Sequence, residues 1–283
     1  MEANGQVTTA GQLVKQRPRR QIRVKTWNRS TVVTRATLLI LAGLTVYAFF
    51  SFDYKEIDFV QAMLATFANL KSMFLEPHLQ RFTFGHALYQ VLVTLGLAFL
   101  TTLFGAVIAV FFGLLAAENL SSKWVSSVVK GVVAFIRAVP TVLWVLIFAV
   151  AAGLGSVAAV IGMTFHSVSY LVKAYSESFE ELDKGVIEAL KASGAGWWQI
   201  IFQAVLPSSL TYMISWTFLR FEINFAVAVA MGAAAGAGGI GFDMFMASNF
   251  YLDIREIGAI TYFILAVAIL LEITAAKLKK RLT

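Results

Sequence analysis

Apolar residues dominate this chain in long blocks separated by short polar stretches, and the blocks set the expected elements. An apolar run of about 20 residues is long enough to cross a bilayer as a helix. On that measure six spans are expected, at roughly 32–52, 86–116, 127–152, 156–175, 208–232 and 256–277. The second is the clearest, because nothing from Ala87 to Ala117 is charged. Residues 138–172 also carry no formal charge, a stretch too long for one span and too short for two. Gly153-Leu154-Gly155 offers a tight turn in its middle, so each flanking helix must reach past the uncharged stretch. Counting back about 20 residues from that turn brings Arg137 inside the membrane.

Between the first two spans, Ile57, Val60, Met63, Leu64, Phe67, Leu70 and Phe74 recur at helical spacing. The pattern fits an amphipathic helix lying on the outer membrane surface, and equally a helix packed against the bundle. The loop between the fourth and fifth spans has a different character. It reads as a polar helix, a small-residue break at Gly194-Ala195-Gly196, and a second helix, Trp197-Trp198-Gln199-Ile200-Ile201-Phe202, rich in aromatics. Pro207 suits the first turn of the next membrane helix, where its missing N–H is not needed. Two short helices at a fixed angle make a rigid knob, and aromatic side chains on such a knob are typical anchors of a protein interface.

Composition strengthens the membrane reading. Of 283 residues, 59% are hydrophobic and 14% charged, and the mean hydropathy is +0.76. A soluble domain carries about 25% charged residues, so a soluble enzyme or a nucleic-acid-binding domain is excluded despite a net charge of +7. The absence of cysteine rules out disulfides, thiolate metal sites and thiol nucleophiles. His78, His86 and His166 lie too far apart in sequence to suggest a metal centre.

Residues 1–31 form a basic tail, and the stretch up to Arg35 sets eight Lys and Arg against one acid, Glu2. The apolar run that follows is a retained first span rather than a cleaved signal. Lys and Arg are enriched on the cytoplasmic side of membrane proteins. With six spans, the tail, the loops near 117–126 and 176–207, and the basic end 278–283 fall on one side and hold most of the cations. The outer segments, about 53–85 and 233–255, hold Lys55, Lys71, Arg81 and Arg255. Both termini are therefore expected in the cytoplasm.

Ionisable groups inside spans are costly and usually face a cavity or a partner. The candidates are Arg137, His166, Arg220 and Glu222. Arg220 and Asn224 are four apart and share a helix face, whereas Arg220 and Glu222 do not. A guanidinium binds oxyanions through a planar fork of donors, so Arg137 and Arg220 would suit a phosphonate or phosphate path. Pairing of either arginine with Glu222 to hold helices together is the competing reading. His166 among apolar residues fits a helix–helix hydrogen bond more readily than a proton relay.

The 188–207 loop reads Glu188-Ala189-Leu190-Lys191-Ala192-Ser193-Gly194, then nine residues, then Ala204-Val205-Leu206-Pro207. It resembles the EAA loop of binding-protein-dependent, type I ABC importer permeases: Glu-Ala-Ala, Gly, nine residues, Ile, any residue, Leu, Pro. Leu190 and Ala204 depart from that pattern, both with apolar residues. The resemblance extends over about 85–277 and implies an all-α transmembrane bundle of about six helices in a bacterial inner membrane. It also implies that Glu188, Ala189, Gly194, Trp197, Trp198, Leu206 and Pro207 couple the chain to a separate ATPase. Glu118-Asn119-Leu120, Arg220-Phe221-Glu222 and Gly236-Ala237-Gly238-Gly239-Ile240-Gly241 are similar to the phosphonate-type branch.

On that resemblance the expected assembly is two copies of the chain, two ATPase subunits, and a periplasmic or lipid-anchored binding protein, all at the membrane lipid. Arg137, His166, Arg220, Glu222 and Asn224 would line the path, and Gly236, Gly238, Gly239 and Gly241 an outer-gate loop. ATP and magnesium would sit on the partner, since no G-x-x-x-x-G-K-[ST] occurs here and the chain itself is expected to hold no cofactor. The 236–241 glycines match G-x-G-x-x-G, but a dinucleotide site needs a preceding strand, and Ala226–Ala235 reads as membrane helix. The alternatives are an importer for another solute, an ATP-independent channel or secondary transporter, and a scaffold without transport.

Overall fold

The computed structural model describes residues 29–51 and 58–282, which contain helices and no strands. Most of the basic tail, Lys55 and Ile57 lie outside the described residues. The chain divides between Phe59 and Val60 into two units. The first contains α1 (Arg29–Ser51), a 23-residue helix long and apolar enough to span a membrane.

The second unit begins at the second residue of α2 (Phe59–Leu75) and continues through α3 (Phe84–Ala116), α4 (Lys123–Ala138), α5 (Thr141–Ala152) and α6 (Ser156–Glu180). There follow α7 (Lys184–Ala192), α8 (Trp197–Ile200), α9 (Leu206–Ala235), α10 (Ile240–Asn249) and α11 (Ile254–Leu282). Among the described residues five stretches pass as single spans: α1, α3, α6, the continuous helix Trp197–Ala235, and α11. α3 packs along α6, and α9 lies against both. Small residues let these helices approach closely. A side chain at Gly105 would meet the Cβ of Ser167 at 2.7 Å, and one at Gly113 the Cβ of Tyr175 at 3.2 Å. On α2, Val60, Met63, Leu64, Phe67 and Leu70 are exposed, while at its end Phe74 stacks edge-on with Tyr262 of α11 and accepts a 2.6 Å hydrogen bond from it.

Three expectations need correction. The 127–152 span is broken: α4 and α5 meet at 89°. Val139, preceding Pro140, takes an extended conformation, because a proline disfavours helical geometry in the residue before it. Trp144 of α5 folds back on the bend, donating from Nε1 to the Ile136 carbonyl at 3.0 Å.

The loop between the fourth and fifth spans is shorter than expected, since α6 runs on to Glu180. Pro207 does not begin a new helix either. α8 passes through a π-helical turn, Ile201–Val205, directly into α9. Proline cannot donate to the residue four back and crowds that carbonyl. The wider turn relieves this, with the Leu206 N–H donating to Ile201.

Candidate functional site

Two regions carry the chemistry, and the first is the knob between α6 and α9. Asp183 caps α7, its Oδ1 accepting from the Gly185 N–H at 2.8 Å. α7 ends at Ala192 with Ser193 as its cap, and Gly194 reverses the chain with φ +86°, a left-handed value that favours glycine. Gln199 reaches back to accept from the Gly196 N–H at 2.6 Å, fixing the start of α8. Glu188, Ala189, Gly194, Trp197, Trp198 and Pro207 are exposed, and Leu206 is half-buried.

Ile187 and Ile200 instead turn inward, joining a core cluster with Leu114, Phe179 and Val205. The aromatic face is less free than its sequence suggested. Trp197 donates from Nε1 to the Leu120 carbonyl at 2.9 Å, which leaves Trp198, 55% exposed, as the outward ring.

Glu118-Asn119-Leu120 is the seat of this knob, a role the sequence did not reveal. Asn119 Nδ2 donates to the Phe179 carbonyl at 2.8 Å, and the Glu118 N–H to Glu180 Oε1 at 2.9 Å. Lys130 Nζ bridges Glu118 at 2.8 Å and Glu180 at 3.1 Å. The Lys130 ammonium holds the Glu118 carboxyl below the usual carboxylate range. The end of α3, the end of α6, α4 and the knob thus meet at one joint.

The second region is a polar junction where α3, α6 and α9 cross. Asn224 Nδ2 donates to Thr102 Oγ1 at 2.8 Å and to Ser167 Oγ at 2.9 Å. Arg220, 2% exposed, donates from Nε to Ser167 Oγ at 3.2 Å, with its guanidinium 5.2 Å from the Tyr170 ring centre. One of its terminal nitrogens, Nη2, is buried without a hydrogen-bond partner, and so is Nδ1 of His166. Arg220 and Asn224 therefore work from one helix face, as their spacing predicts.

Glu222 is half-buried and, among the described residues, pairs with neither Arg220 nor Arg137. The charges of Arg137 and Arg220 both reach His166. Arg137, however, is shallower than its placement from the turn implied. It is exposed in the last turn of α4, in a cleft shared with Lys173 and Glu180 of α6. Lys173 lies about 10 Å from the Glu180 end of α6, and His166 about 21 Å, at 1.5 Å per residue.

At the opposite end, the glycine loop separates α9 from α10. Gly236, Gly238 and Gly239 all have positive φ, and the Ile240 N–H donates to Thr94 Oγ1 of α3 at 3.0 Å. Gly241 packs directly on the α9 backbone at Val229, and Gly232 against the loop at Gly238. A helix precedes this loop, so a dinucleotide-binding reading lacks its strand.

Sequence reasoning missed the group that fastens this end. Glu256, fully buried, accepts through Oε1 from the backbone N–H groups of Gln80, Arg81 and Phe82 at 3.0, 2.8 and 3.2 Å. Asp253 caps α11 and meets His78 at 3.1 Å. Burial draws the Asp253 carboxyl upward, but hydrogen bonds from the Glu256 N–H and His78 outweigh it and hold the group low. Asp243, 4% exposed and 3.0 Å from His86, is pushed up by burial.

With this geometry in hand, the chain can be compared with known proteins. Residues 109–282 match the family described as binding-protein-dependent transport system inner membrane component. The chain is 29% identical over 193 residues to the phosphate-import permease protein PhnE of Mycolicibacterium smegmatis, covering 67% of this chain and 35% of that protein. It is 34% identical over 181 residues to the phosphite transport system permease protein PtxC of Stutzerimonas stutzeri, covering 62% and 65%. The chain thus spans between about a third and two thirds of these relatives' lengths.

In fold it is similar to a chain of the inward-facing MetNI methionine ABC transporter, with a TM-score of 0.60 and 21% identity over 70% of this chain and 96% of that one. The family match runs from the last quarter of α3 through the knob, the α6 and α9 residues of the polar junction and α11, and on that match the chain belongs to the binding-protein-dependent transport system inner membrane components.

Proposed function

We propose that the chain is the pore-forming subunit of an ATP-driven importer for a small phosphorus oxyanion: a phosphonate, phosphite or phosphate. Two copies form the pore, and two separate ATPase subunits, which carry the ATP and magnesium, grip the α7–α8 knobs from the cytoplasm. A periplasmic or lipid-anchored binding protein delivers the anion at the opposite face, where the Gly236–Gly241 loop lies. The basic tail and the end of α11 are both cytoplasmic. The observation that carries the reading is the knob itself, an exposed two-helix projection that continues without a break into the helix bearing Arg220. Arg220, Asn224 and His166 form the mid-membrane polar station, and a buried cation without a carboxylate partner suits an anionic cargo. The phosphate and phosphite relatives support the same substrate class.

The test is purification of the tagged chain with its native membrane partners, followed by ATPase and uptake assays with and without Gly194→Pro. Proline cannot adopt the positive φ of Gly194, so the substitution should release a bound ATPase and abolish ATP-driven uptake of methylphosphonate, phosphite or phosphate. A chain that retains no ATPase even after mild crosslinking overturns the reading.

A further inference from the structure

A cleft of about 300 Å³ opens between α4 and α6 at the knob end of the bundle. Its polar lining comes from Lys130 and Arg137 of α4 and from Lys173, Ser176, Glu177 and Glu180 of α6. The charges are not evenly placed. At the mouth, Lys130 is held between Glu118 and Glu180. Further in, Lys173 leans on Glu177 at 3.6 Å, one turn along the same helix. Deepest on the α4 side is Arg137, which has neither a carboxylate nor a hydrogen-bond partner among the described residues. Beyond it, where α9 crosses α6 at Ser167, lies the buried Arg220, with no acid paired to it among the described residues. Carboxylates thus gather at the mouth and unmatched cations extend inward, so an anion entering the cleft finds its most favourable place beside Arg137.

We infer that the inner end of this cleft is a binding site for an oxyanion of phosphate chemistry, anchored by the Arg137 guanidinium and flanked by Lys173 and Ser176. A guanidinium offers two parallel N–H groups to two oxygens of one tetrahedral anion. Ser176 Oγ spends its proton on the Lys173 carbonyl at 3.0 Å, so its oxygen is an acceptor for a protonated anion oxygen. Val133 and Val172, both buried, form the apolar floor of the cleft beside these polar groups. The site lies about 10 Å from the end of α6, at a depth that either a free anion leaving toward the knob or the phosphodiester headgroup of an acidic lipid reaches. For the free anion the inference rests on the importer reading above, and it names the point of release.

The experiment is equilibrium binding of radiolabelled inorganic phosphate to the full chain in phosphatidylcholine nanodiscs. Saturable binding of one phosphate per chain is expected, weakened at least tenfold by Arg137→Gln and partly restored by Arg137→Lys. Lys71→Gln, on exposed α2, should leave it unchanged. A parallel arm uses nanodiscs containing phosphatidylglycerol, read by native mass spectrometry. Retention of that lipid by the parent chain and its loss from Arg137→Gln, with phosphate binding suppressed, assigns the site to a headgroup. No saturable phosphate binding together with no retained phosphatidylglycerol overturns the inference, as does Arg137→Gln binding as well as the parent. A chain that binds phosphate while its assembly imports no phosphorus oxyanion keeps this site and sinks the importer reading. Uptake without binding does the reverse.

Discussion

Glu256 holds together two stretches of chain separated by more than 170 residues, and it does so with one oxygen. Three consecutive backbone N–H groups, of Gln80, Arg81 and Phe82, point at its Oε1. Hydrogen bonds to a charged acceptor contribute more than neutral ones, and stranding a donor costs its desolvation. Glu256→Ala should therefore destabilise the chain by about 2–4 kcal/mol, read as a drop in the detergent unfolding midpoint. Glu256→Gln, which keeps an oxygen in place, should recover part of the loss.

Arg220 makes the opposite case. Its buried Nη2 has no partner, so part of its desolvation cost goes unrepaid in this state. Arg220→Leu should leave stability within about 1 kcal/mol of the parent, since replacing buried charge by apolar volume is often neutral or better. If Arg220 serves the cargo, the same variant should lose uptake. A large loss of stability would instead make it a packing residue.

That Arg220 and Asn224 share one helix face was legible from a spacing of four. The role of Glu256 was not, because its partners are main-chain amides with no side-chain signature. The only available hint was an acid in the first turn of a long apolar helix.

Among the helices, the hydrophobic blocks located α1, α3, α6, α9 and α11 to within about five residues at each end, since burial in lipid demands the very property that hydropathy measures. The Gly153-Leu154-Gly155 turn between α5 and α6 was legible for the same reason: its three residues punctuate an otherwise unbroken apolar run. The 89° bend at Pro140 was missed although the signal was there, in a proline thirteen residues before that turn. The continuity of α8 into α9 was hidden because Pro207 reads locally as a helix start, and only the π-helical turn makes it an interior residue.

Helix proximity supplies a clean contrast among the glycines. Gly105→Ala places a methyl 2.7 Å from the Ser167 Cβ, so α3 must move off α6 at the polar junction. It should lower the unfolding midpoint by several degrees. Gly131→Ala, on exposed α4 with open space around it, should be neutral or stabilising by up to about 1 kcal/mol. Equal effects in the two variants would refute the close crossing.

At the scale of the molecule, one chain provides the knob, the polar junction and the cleft, while a pore built from pairs of chains needs a second copy. Crosslinking in native membranes should give a species at twice the 31.0 kDa of the monomer, and recovery of the monomer alone would remove the pair from the proposed assembly. Family membership was legible from the 188–207 spacing because a docking projection is specified locally, by a turn and its flanking residues. The joint that seats it draws on Glu118 from the α3–α4 turn, Lys130 of α4 and Glu180 of α6, so their convergence becomes visible only on folding.

The unbroken helix from Trp197 to Ala235 has a mechanical corollary. From Trp198 to Arg220 is roughly 33 Å at 1.5 Å per residue. A rigid rod of that length, tilted by about 10° at its base, sweeps its far point sideways by roughly 6 Å, wider than the diameter of a phosphate ion. In the proposed assembly, leverage of this kind would turn a small angular displacement at the rim into an opening or closing stroke at Arg220.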